Sequence, residues 1–167
     1  MGEPAASGIQ VRLAGTGDAA ALTALFHAVD RHYWGSAAPT LADMAEHVRQ
    51  RVLRATSCEI ALAETEGEAL GLATFAILYP APGPGGQLFM KDLFTLPAAR
   101  GRGVGHALMS FLSRLALERG CGRFDWTAET DNPGALAFYD RLGARRIEEK
   151  VYYRFDGEGL KALAAKK

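Results

Sequence analysis

Ala99–Met109 reads ARGRGVGHALM: Gly101, Gly103 and Gly105 alternate with Arg102 and Val104, Arg100 stands just before them, and an apolar run follows. Glycine lets a partner approach the backbone closely and permits positive φ. The first turn of a helix leaves N–H groups without partners, and the helix dipole adds positive charge there. Successive amides in a tight turn converge on an anion. The stretch therefore reads as a phosphate cradle at a helix start. The Arg100 and Arg102 side chains would add charge-assisted hydrogen bonds. The alternative is a glycine-rich strand-to-helix turn that binds nothing.

The flanks of this turn set the fold class. Upstream, QLFMKDLFTL (Gln87–Leu96) is a strand with few charges, ended by Pro97. Downstream, Val104, Ala107, Leu108, Phe111, Leu112, Leu115 and Ala116 recur at the spacing of one buried helix face. Gly120 and Gly122 stop that helix, and RFDWTAE (Arg123–Glu129) is the next strand. Strand, turn, helix and strand make a βαβ unit, so this part of the sheet should be parallel.

Before it, IQVRL (Ile9–Leu13) alternates as a strand. Thr16 or Asp18 is then placed to cap a helix carrying Leu22, Leu25, Phe26 and Val29. A second helix should run from about Leu41 to Leu53. SCEIALAE, TEGE and ALGLATFAIL read as a hairpin, and APGPGG as a loop. Beyond the βαβ unit the pattern gives a short helix (Pro133–Leu142), a last strand in RRIEEKVYYRF (Arg145–Phe155) and a short C-terminal helix. The fold class expected is α+β, an α/β mixed sheet. It is antiparallel early and parallel in the middle, with helices on both faces. Residues 1–8 read as a flexible leader and 9–167 as a single domain.

Nineteen basic residues balance nineteen acidic ones among 167, which argues against a general nucleic-acid binder. Cys58 and Cys121 have no metal or redox spacing and read as reduced thiols. The four histidines sit at no convincing metal spacing, so no metal is expected. No apolar run approaches the roughly 20 residues of a membrane helix. These readings point to the cytoplasm, with no membrane or nucleic-acid partner.

Two familiar phosphate motifs fail. In the dinucleotide fingerprint the third glycine would fall at His106, and no Gly-Lys-Ser/Thr completes a P-loop. The spacing is Arg-x-x-Gly-x-Gly, from Arg100 through Gly103 to Gly105. With KDLFTLP (Lys91–Pro97) before it and NPGALAFYDRLGA (Asn132–Ala144) after it, the chain resembles the GNAT superfamily of acyl-CoA-dependent N-acetyltransferases. The likeness runs from about Ile9 to Phe155 and is specific in Lys91–Met109 and Asn132–Ala144. It implies a central sheet of six to seven strands and acetyl-CoA as co-substrate. The pyrophosphate of that co-substrate would lie on Arg100, Gly101, Arg102, Gly103, Val104 and Gly105, with His106 next in the helix. Backbone groups of Leu93 and Thr95, flanking Phe94, would hold the pantetheine arm at a splay between parallel strands. Asn132 matches a position that contacts this arm, and its alternative is a plain helix N-cap.

Acetyl transfer needs a deprotonated amine, a donor for the oxyanion and an acid for the departing thiolate. The resemblance gives the acid to Tyr139, whose neighbour Phe138 reads as core. Asp92, in the central strand, is the candidate for orienting or deprotonating the amine, and its alternative is a satisfied buried carboxylate. Glu129 is a second acidic candidate. Tyr33 and Trp34, in HYW with His32, lie in a region that often walls the acceptor pocket in this superfamily.

The look is that of the diamine and polyamine acetyltransferase branch, whose members tend to carry an acidic residue directly before the matching aspartate. Here that position is Lys91, which disfavours a cationic polyamine if it enters the pocket. Strand alternation places Lys91 and Asp92 on opposite faces. The expectation is an N-acetyltransferase acting on a primary amine of a small molecule. A non-catalytic acyl-CoA-binding domain and a protein N-acetyltransferase are the alternatives. Relatives often dimerise, some by exchanging or pairing C-terminal strands, and VYYRF is apolar and aromatic enough to pair, so a homodimer is expected.

Overall fold

The computed structural model of the protein describes residues 8–81 and 83–166. Most of the expected leader, residues 1–7, lies outside them. The chain divides into two compact units, one reaching to Thr127 and one starting at Ala128.

The first unit holds one five-stranded mixed sheet. Its strands are β1 (Gln10–Leu13), β2 (Glu59–Thr65), β3 (Glu68–Leu78), β4 (Gly86–Thr95) and β5 (Cys121–Trp126), in that spatial order. Pairing is antiparallel from β1 through β4 and parallel between β4 and β5. The hairpin of β2 and β3 closes through the two-residue turn Glu66–Gly67, opposite the Thr65–Glu68 pair. The helices are α1 (Ala19–Trp34), α2 (Leu41–Gln50) and α3 (Val104–Glu118).

Alternation along the strands sends side chains to two layers. Ile60 and Leu62 of β2, Leu72 of β3 and Phe94 of β4 pack with Leu22 and Leu25 of α1 and with Met44 and Val48 of α2. Leu22, Val48 and Leu72 are fully buried. Truncating any one of them to alanine should cost about 2–5 kcal/mol. On the other face α3 buries Val104, Leu108, Leu112 and Ala116, four of the seven residues its spacing singled out, and adds Met109.

Gly71 of β3 lies on that second face. A Cβ there would run into the Phe94 carbonyl and would sit 3.1 Å from Val104 Cγ1 and 3.2 Å from Thr95 Cα. The missing side chain thus lets α3 start directly against the end of β4. At the other edge Arg12 of β1 clamps Asp18 with two nitrogens, at 2.7 and 2.9 Å, and reaches Glu64 of β2 at 2.9 Å. Asp18 also accepts from the Gly15 amide at 2.7 Å, and these donors hold its pKa down at about 2. Its carboxylate therefore anchors the strand end and does not cap α1, the helix that begins at the next residue.

Two expectations need correction. The sheet has five strands among the described residues, fewer than six to seven. The missing strand is RRIEEKVYYRF: residues 144–156 carry no strand, only an irregular connection with a turn at Glu148 and Glu149, between α4 (Pro133–Arg141) and α5 (Gly157–Ala164). A strand exists only as a member of a ladder, and the second unit contains no other strand for this segment to join. The second helix is also shorter than expected. It ends at Gln50, because Arg51 leaves helical geometry (φ −120°, ψ −59°) and a tight turn, Val52–Arg54, follows.

Candidate active site

The glycine turn begins where β4 ends. Pro97–Ala99 form one tight turn, and Gly101 and Gly103 then adopt positive φ of 76° and 89°. Gly103 is the N-cap of α3. The Arg100 amide donates to the Pro97 carbonyl at 3.3 Å, and the next amide with a backbone acceptor is that of Ala107, on Gly103 at 2.9 Å. Between them the amides of Gly101, Arg102, Gly103, Val104, Gly105 and His106 donate to no backbone carbonyl among the described residues. Six consecutive amides without a backbone acceptor, at the positive end of a 15-residue helix, make a corner chemically suited to an anion. Arg100, Arg102 and His106 are exposed around it. Arg100 Nε lies 3.5 Å from the Thr95 carbonyl, and His106 Nδ1 lies 3.4 Å from Ser110 Oγ.

Upstream of the turn the sheet opens. The last β4–β5 pair is Met90 with Trp126, whereas β4 runs on to Thr95. On its other edge Leu93, Phe94 and Thr95 stay paired with Ala73, Leu72 and Gly71 of β3. The Leu96 amide donates to Leu70, which fixes the alternation. Phe94 therefore turns its amide groups toward β3, and Leu93 and Thr95 turn theirs to the edge that β5 has left. An unpaired strand edge thus leads straight into the turn of free amides.

Asp92 stands at the head of this edge. Its Oδ2 accepts from the buried Thr74 hydroxyl at 2.5 Å, and the same hydroxyl oxygen accepts the Asp92 amide at 3.2 Å. Lys91 Nζ lies 3.1 Å from both carboxylate oxygens. This corrects the expectation that Lys91 and Asp92 point to opposite faces. Thr74 pairs with Asp92 and Phe75 with Met90, so Lys91 is the extra residue of a β-bulge. A bulge breaks the two-residue period and lets two neighbours share a face. Both line one cavity of about 470 Å³, walled by Phe26, Val29 and Asp30 of α1 and by Asp43, Met44 and His47 of α2.

Tyr33 and Trp34 occupy the last turn of α1. They are 65% and 66% exposed, outside the lining of this cavity. The His32 ring leans on Tyr33 and on Phe94, with centroids 5.2 and 6.3 Å away.

The second unit carries the remaining candidates. Asn132 caps α4, its Oδ1 accepting from the Ala135 amide at 3.0 Å, with Pro133 opening the helix. Tyr139 is half-buried on α4, and its ring packs at 5.2 Å from that of Phe138. Phe138 was expected in a core and is only half-buried. Glu129 is exposed and follows the end of β5 by three residues. Among the described residues no group of His, Cys, Asp and Glu is arranged to hold a metal ion. No described helix is long and apolar enough to cross a membrane.

Sequence reasoning did not single out Thr74, Asp30, Asp43 or Gly71. Thr74 had a signal, the one hydroxyl in ALGLATFAIL. Asp30 and Asp43 had none, because each reads as an ordinary polar position on an amphipathic helix.

A mixed sheet that opens beside a turn of free amides defines a class of domain suited to an extended ligand ending in phosphate. The sequence profile of the acetyltransferase (GNAT) family matches residues 22–144, and the chain belongs to that family. It is 32% identical over 85 residues to thialysine N-epsilon-acetyltransferase of Sus scrofa, covering 49% of this chain and 50% of that one. It is 36% identical over 95 residues to mycothiol acetyltransferase of Amycolatopsis mediterranei (strain U-32), covering 55% of this chain and 32% of the other. The chain thus spans about half the length, or less, of these curated relatives. Among solved structures, integron cassette protein VCH_CASS6 from the mobile metagenome of V. cholerae superposes with a TM-score of 0.91 at 38% identity. That match covers 95% of this chain and 99% of the other. Aminoglycoside acetyltransferase AAC(6')-Iy, in complex with a bisubstrate analogue, shares the fold (TM-score 0.71, 21% identity, covering 90% and 100%).

Proposed function

We propose that residues 9–167 act as one N-acetyltransferase domain, which moves the acetyl group of acetyl-CoA to a primary amine of a small molecule by direct transfer. The observation that carries this reading is the run of unbonded amides from Gly101 to His106 at the end of an unpaired strand edge. The amides and the Arg100 and Arg102 guanidinium groups receive the diphosphate. Leu93 and Thr95, flanking Phe94, pair with the amides of the pantetheine arm, and one of their N–H groups donates to the developing oxyanion.

An amine attacks the thioester carbonyl only with its lone pair free. Asp92, fixed by Thr74, orients the ammonium and passes its proton to water. The C–N bond forms, the C–S bond breaks, the thiolate takes a proton from the Tyr139 hydroxyl, and the proton that the acylated nitrogen then loses restores the phenol. Family membership supports the role of Tyr139, as does the neutral-pH protonation of a phenol. By the same likeness Asn132 belongs to the cofactor arm and Tyr33 and Trp34 to the acceptor side, and their charge assigns Lys91 and Glu129 to the acceptor side as well.

The test is an amine panel assayed for thiol release from acetyl-CoA. Turnover with at least one small amine is expected. Tyr139→Phe should lower kcat by about 10²–10³-fold with coenzyme A binding intact. An unchanged rate in that variant refutes the acid assignment.

The reading includes a homodimer in the cytoplasm, with no nucleic-acid or membrane partner. Val151, Tyr152, Tyr153 and Phe155 are all largely exposed, Tyr153 at 87%, in a segment that has found no strand to pair with. Such a segment favours a second copy. A single species of monomer mass in light scattering would contradict the dimer. Cys58 and Cys121 are both free, in keeping with a reducing compartment.

A further inference from the structure

The cavity beside Asp92 has an uneven charge. Asp30 of α1 and Asp43 of α2 line one side, and Lys91 enters from β4 next to Asp92. Asp43 accepts from the Thr40 hydroxyl at 2.6 Å, whereas the Asp30 carboxylate forms no hydrogen bond or ion pair among the described residues. The Lys91 ammonium has three donors, and the two Asp92 oxygens engage at most two of them. Its side chain is 75% exposed and lines the cavity, so the remaining donor is accessible to a ligand there. A regular strand would have turned Lys91 to the opposite face of the sheet. The bulge at Thr74/Phe75 brings the cation in.

We infer that Lys91 anchors a carboxylate on the acceptor, so that the cavity selects amines carrying both a carboxylate and a second ammonium group. This rests on the acetyl-transfer reading and narrows it to a substrate class. A bare diamine offers Lys91 nothing and is repelled by it. A diamino acid places its carboxylate on Lys91 and its remote ammonium at Asp30 and Asp43. The apolar surfaces of Phe26, Val29 and Met44 face the methylene chain between them.

The experiment compares lysine with 1,5-diaminopentane, the same molecule without its carboxylate. Each is titrated calorimetrically into protein saturated with coenzyme A, and each is assayed for thiol release with acetyl-CoA. The wild type should bind lysine at least about tenfold more tightly, the size of one charge-assisted contact. Lys91→Gln should bring that ratio close to one by weakening lysine and strengthening the diamine. If Lys91 served only to hold Asp92, the variant would lower turnover of both amines and leave the binding ratio alone, which overturns the inference. Tighter binding of the diamine by the wild type, or binding of neither, overturns it as well. Lysine-selective binding that depends on Lys91, without thiol release from any amine, supports the anchor and refutes acetyl transfer.

Discussion

Gly103 stands at φ 89° and ψ 1°, and a Cβ built on it meets no atom within 4 Å. Replacing it therefore tests backbone conformation alone, without a steric clash. An L-residue in the left-handed region costs roughly 1–2 kcal/mol, and asparagine tolerates that region better than alanine. The smaller conformational freedom of an unfolded chain without this glycine offsets part of that cost. Gly103→Ala should then lose about 1 kcal/mol, and Gly103→Asn should lose less despite its larger side chain. With a urea m-value of about 2 kcal/mol/M, the alanine variant's midpoint should fall by about 0.5 M. Coenzyme A titrations on the same proteins extend the test. Gly103→Glu, still folded by circular dichroism, should bind coenzyme A far more weakly than either variant, because it sets a carboxylate before the free amides. Two results would refute the reasoning: an alanine variant at least as stable as the asparagine variant, or a glutamate variant with unchanged coenzyme A affinity.

Three further outcomes are expected. Gly71→Ala should cost at least about 2 kcal/mol and weaken coenzyme A binding together with stability, because its Cβ meets the Phe94 backbone and Val104; thermal melts and calorimetry read both. Thr74→Val keeps the volume of a buried site and removes the hydroxyl that fixes Asp92. Its kcat should drop about 10–100-fold, the worth of a hydrogen bond to a charged group, with coenzyme A affinity unchanged. Asp18→Asn should lower stability at pH 7 by about 1 kcal/mol, a figure reduced for the exposure of its partner Arg12. The folded-state pKa of Asp18 is depressed from 3.8 to about 2, so the wild-type advantage is full above pH 3.8 and vanishes as pH falls through 2. Denaturation at pH 7, 4 and 2 follows it, and an advantage that grew toward pH 2 would contradict the assignment.

Local signals were strong where each side chain's role depends on near neighbours in the chain. The hairpin through Glu66–Gly67, the βαβ unit and the buried face of α3 were all legible. So was the turn from Arg100 to Gly105, because glycine spacing and helix onset lie within a few residues of each other. The last strand failed for the opposite reason. VYYRF has the pattern of a strand, but pattern supplies no partner, and its unit contains none. The relation of Lys91 to Asp92 failed on one residue of register. Nothing in QLFMKDLFTL announces the bulge, which exists only because β3 pairs Thr74 with Asp92 and Phe75 with Met90.

By itself, then, the chain determined its class, the order of most elements and the residues of the glycine turn, since these follow from period, capping and backbone freedom. Tertiary structure alone decided which amides stay free along β4, that Thr74 grips Asp92, and that Lys91 shares a cavity with Asp30 and Asp43. The physical reason is that these contacts join residues up to about sixty positions apart. Such contacts depend on strand register and helix docking, and a shift of one residue in strand register reverses the face on which a charge appears.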